Sequence, residues 1–176
     1  MDQVTISDED RRVLGGWAAD RAASALPLFE AHAPHDLRPR EAIAGIRRYT
    51  EDGRRTAELR SLAWAAQAAA GAVADPAAAA AARSACCAAA TPYVHPLASP
   101  HQSRHVLAPA VHQARATELA AGEDPGVGDA QLLRAIETAP AAVRALLRRM
   151  PARSPGRGRL DTLYHRLDAA LRADAE

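Results

Sequence analysis

Apolar positions along this chain recur every three or four residues, and helix-starting signals separate the runs. Ser7 followed by Asp10 forms a weak capping box, with Asp in place of the preferred Glu. Leu14, Trp17, Ala18, Arg21 and Ala25 then fall at helical spacing, predicting a first helix from about Asp8 to Ala25 with Pro27 disturbing its end. Ala33 to Pro39 reads as a linker, followed by a second helix over about Arg40 to Thr50 that Gly53 ends. A third helix, about Thr56 to Ala74, carries Leu59, Leu62, Ala63, Ala66, Ala70 and Val73 on one stripe. Trp64 lies about 140° from Leu59 on an ideal wheel. That offset means either a third helix buried on two sides, the preferred reading in a bundle of this size, or a Trp64 that faces a partner.

Asp75-Pro76 joins a capping acceptor to a proline at the first helical position, so a fourth, almost entirely alanine helix is expected from Pro76 to about Thr91. Ser99-Pro100 repeats the signal and opens a fifth helix reaching about Ala121, which Pro109 should kink or split. After a loop over Gly122 to Gly128, a sixth helix spans about Asp129 to Thr138 and a seventh about Pro140 to Arg149. The loop Pro151 to Gly158 precedes a last helix with Leu160, Leu163, Tyr164, Leu167 and Leu171 in register. No fixed-period repeat is present. The expectation is an all-α, single-domain bundle of seven or eight helices across residues 1–176, with close-packed alanine-rich helices three and four at its centre.

Composition narrows the class. Of 176 residues 46 are alanine, which favours helix and offers a pleated sheet little to pack, so a mostly β protein is excluded. The 22 basic residues are all arginine, and against 21 acids they leave a net charge of +1, too balanced for a general nucleic-acid binder. The abundance of Ala, Arg, Gly and Pro without lysine looks like the coding bias of a GC-rich bacterium. Met1 to Ile6 is acidic and short of apolar residues, unlike a secretory signal, and Gln67, Gly71, Asp75 and Pro76 interrupt the run Ala65–Ala82 before it could span a membrane. A soluble, cytoplasmic protein without membrane partners is expected. Adjacent Cys86 and Cys87 read as small core side chains, because neighbouring cysteines rarely bridge each other.

Two sets of side chains carry chemistry. His101, His105 and His112 project within about 40° of one another on the fifth helix, opposite Leu107, Ala110, Val111 and Ala114. A histidine pair at i and i+4 can ligate one metal ion, with His95 as a further contributor, and imidazoles also suit acid/base work. Residue 102 is Gln, so the Glu that marks a HExxH metalloprotease is missing. The ordinary reading is a surface pair without function; ligand or metal binding comes second and catalysis third. No resident cofactor is predicted beyond a divalent metal at His101/His105. Arg144, Arg148, Arg149, Arg153, Arg157 and Arg159 lie in a stretch without acids, and the loop before the last helix offers Arg153, Arg157 and Arg159 to an anion or an acidic partner. Solvated charge balanced by Glu137, Asp161 and Asp168 is the plainer reading.

The order Asp36-Leu37-Arg38-Pro39-Arg40-Glu41-Ala42-Ile43, the alanine/arginine-rich helices after it, and His101-Gln102-Ser103-Arg104-His105-Val106-Leu107 with its following alanines resemble the immunity-five-like group. These are bacterial immunity proteins associated with polymorphic toxin systems. The likeness runs from about Asp36 to Ala121, and the flanking parts look like those of actinobacterial members. It implies an all-helical cytoplasmic protein that neutralises a toxin by binding it, with His101 and His105 as pattern positions that carry no assigned role. Pro109 and the proline- and arginine-rich C-terminal part depart from the pattern. An acidic mimic of nucleic acid does not fit a neutral chain with a basic end. The expectation is a non-enzymatic binding protein with a toxin-like protein partner. The alternative is a small-molecule or metal-binding protein, or an acid/base enzyme of specialised metabolism, using the histidine face.

Overall fold

The computed structural model describes residues 3–173. Met1 and Asp2, which open the acidic N-terminal stretch, lie outside them. Eight α-helices are present among the described residues: α1 Asp8–Glu30, α2 Arg38–Asp52, α3 Ala57–Ala72, α4 Pro76–Ala90, α5 Pro100–Ala120, α6 Pro125–Glu137, α7 Ala141–Arg149 and α8 Arg159–Arg172. A short 3-10 turn, Thr91–Tyr93, follows α4, and a lone antiparallel bridge joins Gln3 to Leu97. The bundle is all-α, as its composition requires.

Capping side chains set most of the starts. Ser7 accepts from the Asp10 amide while the Asp10 carboxylate accepts from the Ser7 amide, which completes the capping box. Thr56, Asp75 and Ser99 cap α3, α4 and α5 in the same manner, each accepting an amide of the first turn. Gly53 ends α2 with φ at +70°, a conformation that glycine takes without steric cost. Pro27 and Pro109 lie inside α1 and α5: α1 runs past its proline to Glu30, and α5 is not split. At Pro109 the buried Ser84 hydroxyl of α4 donates to the proline carbonyl at 2.7 Å.

Helices α1, α4 and α5 pack on one another as a central layer, with α2 and α3 on one side and α6, α7 and α8 on the other. α4 earns its central place because Ala77 to Ala82, Ser84, Ala85, Ala88 and Ala89 are all buried. α3 lies on its flank. Its stripe Leu59, Ala63, Ala66, Ala69 and Ala70 is buried, but Arg60, Ser61, Trp64, Gln67 and Ala68 face outward, so the two-sided burial expected for this helix does not occur. The core divides accordingly. Toward α2–α4 it is mostly alanine, with Ile43, Ile46, Tyr49 and Phe29 filling the gaps. Toward α6–α8 it is built from Leu, Val and Met with Trp17 and Tyr164.

One buried charge ties the α4–α5 connection to α1. Arg11 of α1 is nearly inaccessible and donates through Nη1 to the Pro92 and Val94 carbonyls at 3.0 and 2.6 Å. Those carbonyls belong to the α4–α5 connection, which therefore packs on α1 with its polar backbone satisfied.

Candidate functional site

The histidine set divides in two. His101 and His105 are exposed at the start of α5, with their Nε2 atoms 3.1 Å apart and their rings perpendicular. Partial burial lowers the His105 pKa, and the neighbouring His101, Arg104 and His95 add to the shift. His95 is exposed in the connector, where its backbone N–H donates to Gln102 Oε1 at 3.0 Å. His112 is separate: although the helical wheel puts it on the same face, α8 covers that part of α5, and its ring meets Tyr164 edge-on at 6.5 Å. Burial there pushes His112 down to about 4, helped by Arg83 and Arg104. Among the described residues no group of three or more His, Cys, Asp or Glu is placed to hold a metal ion. The four-histidine constellation is thus reduced to a pair with His95 nearby.

Tyr164 is the centre of a second cluster. Its ring is buried, its hydroxyl has no hydrogen-bond partner, and the Arg104 and Arg153 guanidiniums lie 5.0 and 4.9 Å from the ring centroid. Burial pushes the phenol up to about 12. Cys86 and Cys87 lie at the edge of the core, half-buried and free. Their thiols interact: the contact lowers Cys86 and raises Cys87, and burial raises Cys87 further.

Most arginines of the arginine-rich stretch are engaged by partners within the fold. Arg159 pairs with the buried Glu118 at 2.6 Å and with Asp129 at 2.9 Å, contacts that raise its pKa. Gly128 makes this possible, because a Cβ there would land on the Glu118 carboxylate. Arg153 lies over Tyr164, its amide donates to Asp168 Oδ2 at 3.1 Å, and its side chain stands 3.7 Å from Asp161. Arg149 pairs with Asp10 at 3.0 Å. Arg148 of α7 donates to the Arg172 and Ala173 carbonyls at the end of α8, while Arg172 of α8 donates to the Leu147, Met150 and Pro151 carbonyls at the end of α7. These carbonyls are the orphan acceptors of helix C-termini, and a nearby cation also suits the negative end of the helix dipole. Of the three arginines predicted to meet an anion or partner, Arg157 alone is fully exposed; Arg153 and Arg159 are committed within the fold. The acids that balance Arg159 are Glu118 and Asp129, not Glu137.

One surface feature takes the less favoured of the two outcomes that its wheel position allows. Trp64 is 70 % exposed on α3, by far the largest apolar side chain left outside the core. Arg60, Gln67, Ala68 and Gly71 share its outward face. The signal was present in the wheel, since the tryptophan falls well off the apolar stripe. Leu133 on α6 is the next large exposed residue, at 58 %. It borders a hollow of about 490 Å³ between α6 and α8. A hollow of about 660 Å³ lies at the α1–α2 connection, lined by Ala33 to Arg38 and Glu41. None of the candidate histidines on α5 lines either of them.

A family model described as Imm-5 like putative immunity protein matches residues 4–142, from the residue before α1's approach to the first turn of α7. No curated protein and no solved structure matches the chain.

Proposed function

The chain belongs to the family described as Imm-5 like putative immunity protein, and on that premise we propose that it is a non-enzymatic binding protein that neutralises a toxin by docking against it. The exposed Trp64 carries the placement of the docking surface. Tryptophan is among the residue types most enriched at interface hot spots, and a solvent-exposed indole leaves a large apolar area uncovered. The small residues beside it, Ala68 and Gly71, let a partner's backbone approach the helix. A cytoplasmic location belongs to the same reading, and no helix among the described residues is long and apolar enough to cross a membrane.

The test is co-expression with a candidate toxin from the native host. The parent chain should protect the host and co-purify with the toxin, and Trp64→Ala should weaken the complex by about 2 kcal/mol, or roughly thirtyfold in Kd, with its helicity intact. Equal protection by Trp64→Ala would remove α3 as the docking face. The alternative use of the α5 histidines in small-molecule or acid/base chemistry has only His101 and His105, with His95 beside them, to draw on, since His112 is turned to Tyr164.

A further inference from the structure

We propose that His101 and His105 form a two-imidazole chelate for a borderline divalent transition-metal ion such as Zn²⁺ or Ni²⁺, at the solvent-facing start of α5. The separation of the two Nε2 atoms, 3.1 Å, is what joint ligation requires. Imidazole nitrogens bind zinc at about 2.0–2.1 Å, and two of them 3.1 Å apart subtend about 100° at such an ion, close to the tetrahedral value. Carbonyl or carboxylate oxygens, which magnesium and calcium prefer, are not part of the pair.

The pair is presented by a firm element. Ser99 caps α5 by accepting the Gln102 amide, and the Gln102 side chain in turn holds the connector at His95. One turn of helix then sets the two rings on the same side, so little ordering remains when an ion arrives. Without metal, the two rings share a hydrogen bond, in which one of them keeps its proton on Nε2. Binding moves that proton to Nδ1 through the surrounding water and gives both Nε2 lone pairs to the ion, with no net loss of a proton. Both side chains are exposed, so a hydrated ion reaches them directly. Two positions on a four-coordinate ion stay open to water or to a donor from another molecule. His112 is not a ligand, because it is turned to Tyr164.

The same chain holds a pair of thiols, Cys86 and Cys87, that could also take zinc. The experiment therefore separates the two sites. Untagged full-length protein, stripped with a chelator, is titrated with ZnCl₂ by calorimetry, and the bound metal is counted after dialysis. One equivalent should bind, His101→Gln and His105→Gln should each weaken it by about tenfold or more through loss of the second arm of the chelate, and a Cys86→Ser/Cys87→Ser double variant should bind as the parent does. Circular dichroism of the metal-free variants checks that each remains folded. Absence of a stoichiometric ion, full affinity in the histidine variants, or loss of binding in the cysteine variant would each overturn the proposal.

Discussion

Around α4 the buried positions include Ala78, Ala81, Ala82, Ala85 and Ala88; around α8 they include Leu163, Tyr164, Leu167 and Leu171. Both helices are well buried, but by opposite means. Alanine loses no rotamer freedom on folding and lets helix axes close in, yet each residue removes little apolar area from water. Leucine removes several times more area, and its longer side chain keeps the axes apart. The α6–α8 side adds directed contacts on top, with Arg148, Arg159 and Arg172 satisfying carbonyls and a buried carboxylate. One side is held by close fit, the other by reach. The two should therefore fail under different substitutions.

Leu167→Ala should do the most harm. It leaves a cavity in a fully buried site and should cost about 2–5 kcal/mol in denaturant unfolding. Truncation of this kind is not available on α4, where the buried side chains are already minimal, and enlargement is the informative change. Ala82→Leu should cost about 1–3 kcal/mol by forcing the α4 neighbours apart. If the leucine is accommodated freely, the close fit assigned to α4 is wrong.

The seam between the two regions responds to pH. His112 of α5 is held down to about 4 by its burial against α8, compared with about 6.5 in the unfolded chain. Because the unfolded state takes up the proton first, the contribution of this site is complete above about pH 6.5 and is lost as pH falls toward 4. Thermal melts across that window should show the decline, and His112→Phe should flatten it by on the order of 2 kcal/mol at its acid end. A slope unchanged in the variant would assign the acid sensitivity to other groups. The smallest effect belongs to the exposed face: Trp64→Ala should change stability by no more than about 0.5 kcal/mol. A larger loss would mean that the indole supports the fold.

Much of the scaffold was legible because helix starts are local. Asp75-Pro76 and Ser99-Pro100 announce α4 and α5 within two residues, and the caps form as read. Asp124-Pro125 is the same signal, with Asp124 capping α6, but the glycines around it made the segment read as loop. The interior prolines were not legible, and the wheel put Trp64 off the apolar stripe without deciding whether that face is covered, since neighbouring helices settle both. The same holds for the sites. The spacing of His101 and His105 was enough to put them on one face, whereas the departure of His112 depends on where α8 lies. The partnership of Arg159 with Glu118 spans forty-one residues and leaves no local trace.

The exchange of arginines between α7 and α8 makes each helix the cap of the other. At nine residues α7 is too short to be stable in isolation, and α8 closes its last turn on a guanidinium that α7 supplies. Neither helix can fray at its end without releasing the acceptors of its neighbour. In native-state hydrogen exchange the amides of both should open as a single cooperative unit, with one common free energy and not two. Any shortening of the chain that removes α8 would take the protection of α7 with it.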